Sequence, residues 1–157
     1  MTYLDAERPR WLAPLPDPTR ALLAASRAGS MTDFRSALAA APSPDAEDWF
    51  AHTPLFHAPY VGAVDKALLL VEAGASVNRV FRYRSHVTTA LVLALPYPPL
   101  ACALLEAGAD PDLTLPSGET ARSLLARSLL AHAREDKKET IVATLAAADA
   151  RRGVHRR

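Results

Sequence analysis

The residues that could perform chemistry in this chain are few, and their spacing matches no familiar catalytic or metal-binding pattern. The five histidines are His52, His57, His86, His132 and His155. They do not show the short spacings of zinc sites, and a single cysteine cannot complete such a motif with them. The chain also lacks a phosphate-binding glycine loop, a nucleophile elbow and a paired-carboxylate motif. We therefore predict no enzymatic activity, no catalytic residue, no bound metal and no cofactor.

The single cysteine, Cys102, has no arginine or lysine as a near sequence neighbour. A thiol becomes reactive when nearby positive charge favours the thiolate, so we interpret Cys102 as chemically idle. One cysteine also excludes an internal disulfide and suits a reducing compartment, which predicts a cytoplasmic protein. The first eleven residues lack the apolar core of a secretory signal, and no apolar run is long enough to span a membrane.

The composition is that of one ordinary domain without a strong charge bias. The chain has 157 residues, enough to bury a core. Its net charge of +1 gives no general attraction to nucleic acid or to a membrane. The C-terminal run RRGVHRR is locally basic. A solvated tail is the main interpretation of that run, and contact with nucleic acid or anionic lipid is the alternative.

The elements that must position any functional residue recur along the chain at a period of about 33 residues. Residues 48–78 hold a turn at Thr53 and an apolar segment that ends at Gly74. Gly108 follows Gly74 by 34 residues and ends a second segment of the same kind. A weaker copy precedes this pair, and a further copy begins near residue 120. The sequence therefore predicts about four repeated units.

Residues 48–78 resemble one ankyrin repeat without gaps. The positions that match the family pattern are Thr53, Pro54, Leu55, Ala58, Gly62, Asp65, Leu69, Leu70, Gly74, Ala75, Val77 and Asn78. The resemblance implies an all-α solenoid of stacked helix-turn-helix units joined by loops called fingers, because neither helix of a unit can bury its apolar face alone. It also implies a left-handed backbone at Gly74 and Gly108, where the chain leaves each outer helix.

The resemblance divides the chain into three parts. A proline-rich arm leads into the repeats, and a basic tail follows them. The predicted boundaries are 1–18 for the arm, 19–149 for the ankyrin-like domain with repeats near 20–52, 53–88, 89–119 and 120–149, and 150–157 for the tail.

The resemblance also indicates which positions are free to carry function. In ankyrin repeats these are the finger tips and two positions on each inner helix, which together line a concave face. Six of the ten aromatic residues of this chain fall there, beside several arginines. Aromatic and arginine side chains dominate the binding energy of protein interfaces. The predicted partner-binding residues are Trp49, Phe50, His52, Tyr60, Phe81, Arg82, Tyr83, Arg84, His86 and Tyr97.

Packing is the alternative role for some of these positions. Trp49 and Phe50 would cover a gap left by the weak first repeat, and Phe81 would fold back beneath its own long finger. Two neighbours depart from the family pattern. His57 stands at a leucine position, and Phe56 stands where the family histidine usually hydrogen-bonds to the neighbouring loop. This departure predicts a local change of packing, not a catalytic base.

The expected function is binding of another protein on the concave, finger-rich face. A strand period of two residues predicts that the finger arginines, Arg79, Arg82 and Arg84, share one face, which favours a partner with an acidic surface. Small bacterial ankyrin-type proteins of similar composition imply an inhibitor or immunity protein for a toxin or effector. An adaptor in a regulatory complex is the alternative, and a nucleic-acid accessory protein that uses the basic tail is an alternative of another class. We expect no small-molecule substrate and no membrane partner.

Overall fold

The computed structural model describes residues 17–132 and, beyond them, residues 139, 142, 143, 145–147, 149 and 150. The arm up to residue 16, the tail from residue 151 and much of the last predicted repeat lie outside the described residues. The elements are α1 Asp17–Arg27, α2 Met31–Ala40, α3 Pro54–Tyr60, α4 Val64–Glu72, β1 Val80–Tyr83, β2 His86–Thr89, α5 Ala90–Ala94, α6 Pro98–Glu106 and α7 Ala121–His132.

The helices form two layers of neighbours in chain order. In one layer α1 packs on α3, α3 on α5 and α5 on α7. Helices α1, α3 and α5 each also pack on the helix that follows in sequence. In the other layer, α4 packs on α6. Alanine at the helix contacts lets the backbones approach closely, and leucine fills the remaining space. The fully buried residues of this core include Leu22, Leu55, Ala58, Ala67, Leu70, Ala90, Ala94, Leu100, Ala101 and Leu104.

Glycine ends α4 and α6 in the same way. Gly74 has φ +83° and Gly108 has φ +92°. After each glycine a backbone N–H returns to the helix, from Ala75 to the Leu70 carbonyl at 3.0 Å and in the later unit at 2.8 Å. Such a left-handed residue closes the last turn of a helix at little cost only when it lacks a Cβ. The predicted backbone at both glycines is confirmed.

Polar side chains connect each unit to the next at equivalent places. The Asp45 carboxylate accepts hydrogen bonds from the Ser76 backbone N–H at 3.0 Å and from its hydroxyl at 2.6 Å. One unit later, the Asn78 side chain accepts from the Asp110 N–H at 2.6 Å and donates to the Gly108 carbonyl at 3.0 Å. These bonds set the spacing of successive helix pairs and therefore of the loops between them.

The prediction of an all-α fold is wrong, because β1 and β2 pair into a two-stranded antiparallel sheet. Val80 lies opposite Thr89, and Tyr83 lies opposite His86. The fold is therefore mixed, with helices and one small sheet. The long finger is rich in β-branched and aromatic residues, which favour strands. It is also long enough to fold back on itself through the two residues Arg84 and Ser85, so its backbone groups pair with each other.

Candidate functional site

The finger before α3 is held as a tight turn by Asp48. One oxygen of its carboxylate, Oδ1, accepts hydrogen bonds from the backbone N–H groups of Phe50 at 2.8 Å and His52 at 2.9 Å. This arrangement is typical of aspartate, whose short side chain can replace backbone groups in a turn. The turn directs Trp49 and Phe50 outwards, and the Phe50 side chain is 75% exposed. Trp49 and Phe50 therefore project from a turn that the Asp48 side chain holds in place.

Helix α3 supplies the floor beside that finger. It begins with Pro54, which lacks only an N–H that the first turn cannot use. Phe56 is buried and stacks on the His52 ring, with 4.1 Å between ring centroids. At the end of the helix, Tyr60 and Val61 are exposed. The Tyr60 ring lies 5.8 Å from the Phe56 ring, so buried and exposed aromatic rings form one continuous surface.

The hairpin forms the opposite wall. The Tyr60 hydroxyl donates a hydrogen bond to the Tyr83 hydroxyl at 3.2 Å. The Arg84 guanidinium lies 5.4 Å from the Tyr83 ring centroid, within the range of a cation–π contact. Arg84 occupies the hairpin turn with φ +53°, a conformation that costs energy for a residue with a Cβ. The tip of the wall is therefore a strained arginine that lies over a tyrosine.

His52 joins the first finger to this hairpin. Its ring Nε2 lies 2.6 Å from the Arg82 carbonyl oxygen, so Nε2 carries the proton and donates it. In the ankyrin pattern, a histidine at the position of Phe56 makes the hydrogen bond to the neighbouring loop. In the structure the bond comes from the finger itself, four residues earlier. The predicted change of packing at Phe56 and His57 is thus accompanied by a compensating contact from His52.

These elements enclose a groove of about 780 Å³, called the aromatic groove below. Seven of the ten predicted partner-binding residues line it. They come from the first finger, α3 and the hairpin. The predicted residues in its wall are Trp49, Phe50, His52, Tyr60, Arg82, Tyr83 and Arg84.

Helix α1 forms one side of the aromatic groove, which sequence reasoning missed. It contributes Arg20, Leu23, Ala24 and Arg27. Their spacing places all four on one helix face, so a helical pattern in the first repeat was the available signal. Helix α1 is held in place by the buried Lys66, whose ammonium group donates to the Ala25 carbonyl at 2.6 Å at the carboxyl end of that helix.

The groove carries an excess of positive charge. Its lining includes Arg20, Arg27, Arg82 and Arg84 against one carboxylate, Asp48. That carboxylate is already paired: its Oδ2 lies 3.0 Å from His57 Nε2 and 3.3 Å from Arg27 Nη2.

His57 lies at the bottom of the same wall as a neutral group near pH 7. Burial lowers the pKa of its imidazole below the usual value, and the positive charge of Arg27 lowers it further. The hydrogen bond that His57 donates to the Asp48 carboxylate raises the pKa and opposes both effects without cancelling them. A ring nitrogen of His57 can therefore act as a donor or an acceptor at neutral pH. His52 and His57 also bring two imidazoles and one carboxylate together, with a donor atom of each within 4.8 Å of the others.

Three predicted residues lie elsewhere. Phe81 is 1% exposed, packs 5.2 Å from the Phe56 ring and therefore has the packing role. His86 is exposed at the start of β2 and lines a separate depression beside Leu115 and Leu124. Tyr97 is half-buried, and its hydroxyl comes close to Gly62, where an added Cβ would lie 3.0 Å from the oxygen.

The prediction that the three finger arginines share one face is wrong for Arg79. Arg79 forms an ion pair with Glu47, away from the aromatic groove. It is three residues from Arg82, and a strand period of two places residues at odd separations on opposite faces. Arg82 and Arg84 differ by two and line the groove together.

No model of a known protein family matches this chain, and no curated protein matches it. Within the part of the chain that the structure describes, no helix is long and apolar enough to cross a lipid bilayer. The aromatic groove offers a concave apolar surface with exposed aromatic rings and a positively charged rim.

Proposed function

We propose that this chain binds another protein, and that the partner inserts an acidic segment with an apolar anchor into the aromatic groove. The observation that supports this most directly is the convergence of aromatic and arginine side chains from four separate elements on one groove. These residue types carry most of the energy at protein interfaces, because they combine a large apolar area with fixed polar groups. The rings are also held by one another and lose little freedom on binding.

The charge of the groove specifies the partner further. Four arginines face one carboxylate, and that carboxylate is engaged by His57 and Arg27. An acidic segment would meet the guanidinium groups of Arg82 and Arg84 on the hairpin, for which the described residues provide no ion pair. Guanidinium pairs with carboxylate through two parallel hydrogen bonds, which gives direction as well as attraction. The apolar part of the segment would contact Trp49, Phe50 and Tyr60.

The wider setting of the proposal comes from the sequence. The proposal includes the resemblance to ankyrin repeats. The recurring helix pairs, the glycine turns and the equivalent hydrogen bonds of Asp45 and Asn78 support it. The chain acts in the cytoplasm and is not an enzyme. In its most specific form, the proposal is that the partner is a toxin or effector and that binding inhibits it.

Photo-crosslinking provides the first test. A photoreactive phenylalanine analogue replaces Phe50 in one preparation and Arg35, exposed on α2, in another. A protein crosslinked in a cell lysate from position 50 and not from position 35 is the expected result. Crosslinking only to nucleic acid, or equally from both positions, contradicts the proposal.

Titration of the purified partner against variants then measures the site. We expect Trp49→Ala and Tyr83→Ala to weaken binding by about 2 kcal/mol or more, as at an interface hot spot. Arg84→Gly removes a charge and also relieves a strained turn, so it should preserve stability while it slows association and lowers the salt dependence of binding. Val80→Ala, exposed on the hairpin outside the groove, and Arg35→Ala are the controls. Equal affinity and salt dependence in all variants would show that the groove is not the interface.

An assay of the partner's enzymatic activity, with and without this chain, distinguishes an inhibitor from an adaptor. If the partner is a toxin or effector enzyme, the intact chain should abolish its activity at equimolar concentration. An adaptor would leave that activity unchanged while binding tightly. Loss of inhibition in Trp49→Ala, at concentrations that saturate the parent chain, would connect the activity to the aromatic groove.

A further inference from the structure

Asp48 and His52 each have one polar side-chain atom that is hydrogen-bonded to the backbone, and a second polar atom that is available to a ligand shared with His57. Asp48 uses Oδ1 to accept the N–H groups of its own turn, which leaves Oδ2 directed inwards. His52 donates through Nε2 to the Arg82 carbonyl, which leaves Nδ1 as the nitrogen with a lone pair. A histidine that ligates a metal typically has its second nitrogen held in this way, because the outer bond fixes both the tautomer and the ring orientation.

The distances between the inward atoms fit a small metal ion. Asp48 Oδ2 lies 3.0 Å from His57 Nε2 and 3.7 Å from His52 Nδ1. With bonds of about 2.0–2.1 Å to a tetrahedral zinc ion, two ligand atoms are about 3.4 Å apart. One ligand atom from each of the three side chains lies within 4.8 Å of those from the other two. The two imidazole planes are nearly perpendicular, with an interplanar angle of 85°.

The three side chains are also prevented from spreading apart. The exposed fractions of the Asp48, His52 and His57 side chains are 6%, 7% and 10%. The His52 ring stacks on Phe56, and the His57 ring meets the edge of the same phenylalanine at 5.2 Å between centroids. A site that is already assembled loses less conformational freedom when an ion binds.

Arg27 is the group that such an ion must displace. Its Nη2 atom lies 3.3 Å from Asp48 Oδ2 and 3.1 Å from His57 Nε2, so its positive charge faces the same donors. The side chain reaches this position from α1 and is 51% exposed, so it can turn into the groove without leaving a buried cavity. A divalent ion at the centre would repel it and take its place beside the carboxylate.

We infer that Asp48, His52 and His57 form a binding site for a divalent transition-metal ion of the zinc type, at the wall of the aromatic groove, in competition with Arg27. Two imidazoles and one carboxylate are a ligand set that zinc accepts, with a fourth position left for water or another donor. The three ligands and Arg27 all line the groove, so that fourth position faces it. This inference does not depend on the protein-binding proposal.

The test is a titration of the chelator-treated full chain with Zn²⁺ by calorimetry and with Co²⁺ by visible absorption. We expect one ion per chain and the intense visible bands of a tetrahedral cobalt site. His57→Gln should weaken binding by about tenfold or more, the loss associated with damage to a metal site. Arg27→Ala should strengthen binding, because it removes the competing charge. His86→Ala removes an exposed histidine outside the cluster and should leave binding unchanged.

Two results would overturn the inference. One is Zn²⁺ affinity in folded His57→Gln equal to that of the parent; circular dichroism of the metal-free variant establishes that it is folded. The other needs no variant: in the parent chain, Zn²⁺ should shift the imidazole proton resonances of His52 and His57 and leave those of His86 in place. Equal shifts of every histidine, or a shift of His86 alone, would mean that the ion binds elsewhere.

Discussion

At the scale of single residues, the finger depends on Asp48, and the residue before α3 has a buried hydroxyl that finds no hydrogen-bond partner among the described residues. Asp48 closes its own turn and also meets His57 and Arg27, so one carboxylate joins the backbone, the groove wall and α1. Within the described part of the chain, the buried hydroxyl of Thr53 at the start of α3 has no hydrogen-bond partner. Its counterpart in the next unit, Thr89, accepts the Val92 N–H at 3.3 Å at the start of α5.

The two threonines should therefore respond in opposite directions to the same substitution. Thr53→Val removes an unsatisfied buried hydroxyl and should raise the free energy of unfolding by about 1 kcal/mol. Thr89→Val removes a helix cap and should lower it by about 1 kcal/mol. Urea unfolding of both variants beside the parent measures the difference. A loss of stability in Thr53→Val as large as that in Thr89→Val would mean that the Thr53 hydroxyl has a partner in solution.

At the scale of elements, a glycine turn ends both α4 and α6, and a hairpin replaces a simple finger. An ideal Cβ placed on Gly74 or Gly108 meets no atom within 4 Å, so there is room for a side chain at both positions. The constraint is the backbone, because φ is +83° and +92° at the two sites. Arg84 in the hairpin turn also has a left-handed backbone, although it carries a Cβ, and its side chain lines the groove.

Substitutions at Gly74 should rank by how well each residue tolerates a left-handed backbone. Asn should cost least, Ala should lower the free energy of unfolding by about 1 kcal/mol, and the β-branched Val should cost more. Thermal and urea unfolding of the three variants give the order. If Gly74→Val unfolds at the same temperature as the parent, the turn does not have this conformation, and the positions of the repeats must be revised.

At the scale of the whole molecule, stability is distributed along a row of similar junctions. Asp45 bonds to Ser76 at one junction, and Asn78 bonds to Asp110 and Gly108 at the next. Each unit packs mainly on its neighbours, so the core is continuous and each junction makes its own contribution. The aromatic groove spans α1, α3 and the hairpin, so its shape depends on the first of these junctions.

Loss of the side-chain hydrogen bonds at the two junctions should be additive. Asp45→Ala and Asn78→Ala should each lower the free energy of unfolding by about 1 kcal/mol. The double variant should lose the sum of the two within about 0.5 kcal/mol, because the sites share no partner. The slope of the urea transition should stay constant, since the array still unfolds as one unit. A reduced slope in either single variant would show that the units on its two sides unfold separately.

The sequence by itself determined the local and periodic features of this protein. Gly74 and Gly108 mark left-handed turns because backbone preference belongs to the residue, and the paired helices follow from apolar periods that any neighbour can bury. It also named seven of the fifteen described residues that line the groove, since positions that packing leaves free are visible in a repeat.

Only the tertiary structure decided which surfaces meet. The inward packing of Phe81 on Phe56 and the wall formed by α1 depend on contacts between residues distant in sequence. The place of His57 at the groove was also not predicted, because it lies five residues after His52 in a spacing that matches no metal motif. A tight turn and the first turn of α3 bring both rings to Asp48, because chain direction and not sequence spacing sets the distance between side chains.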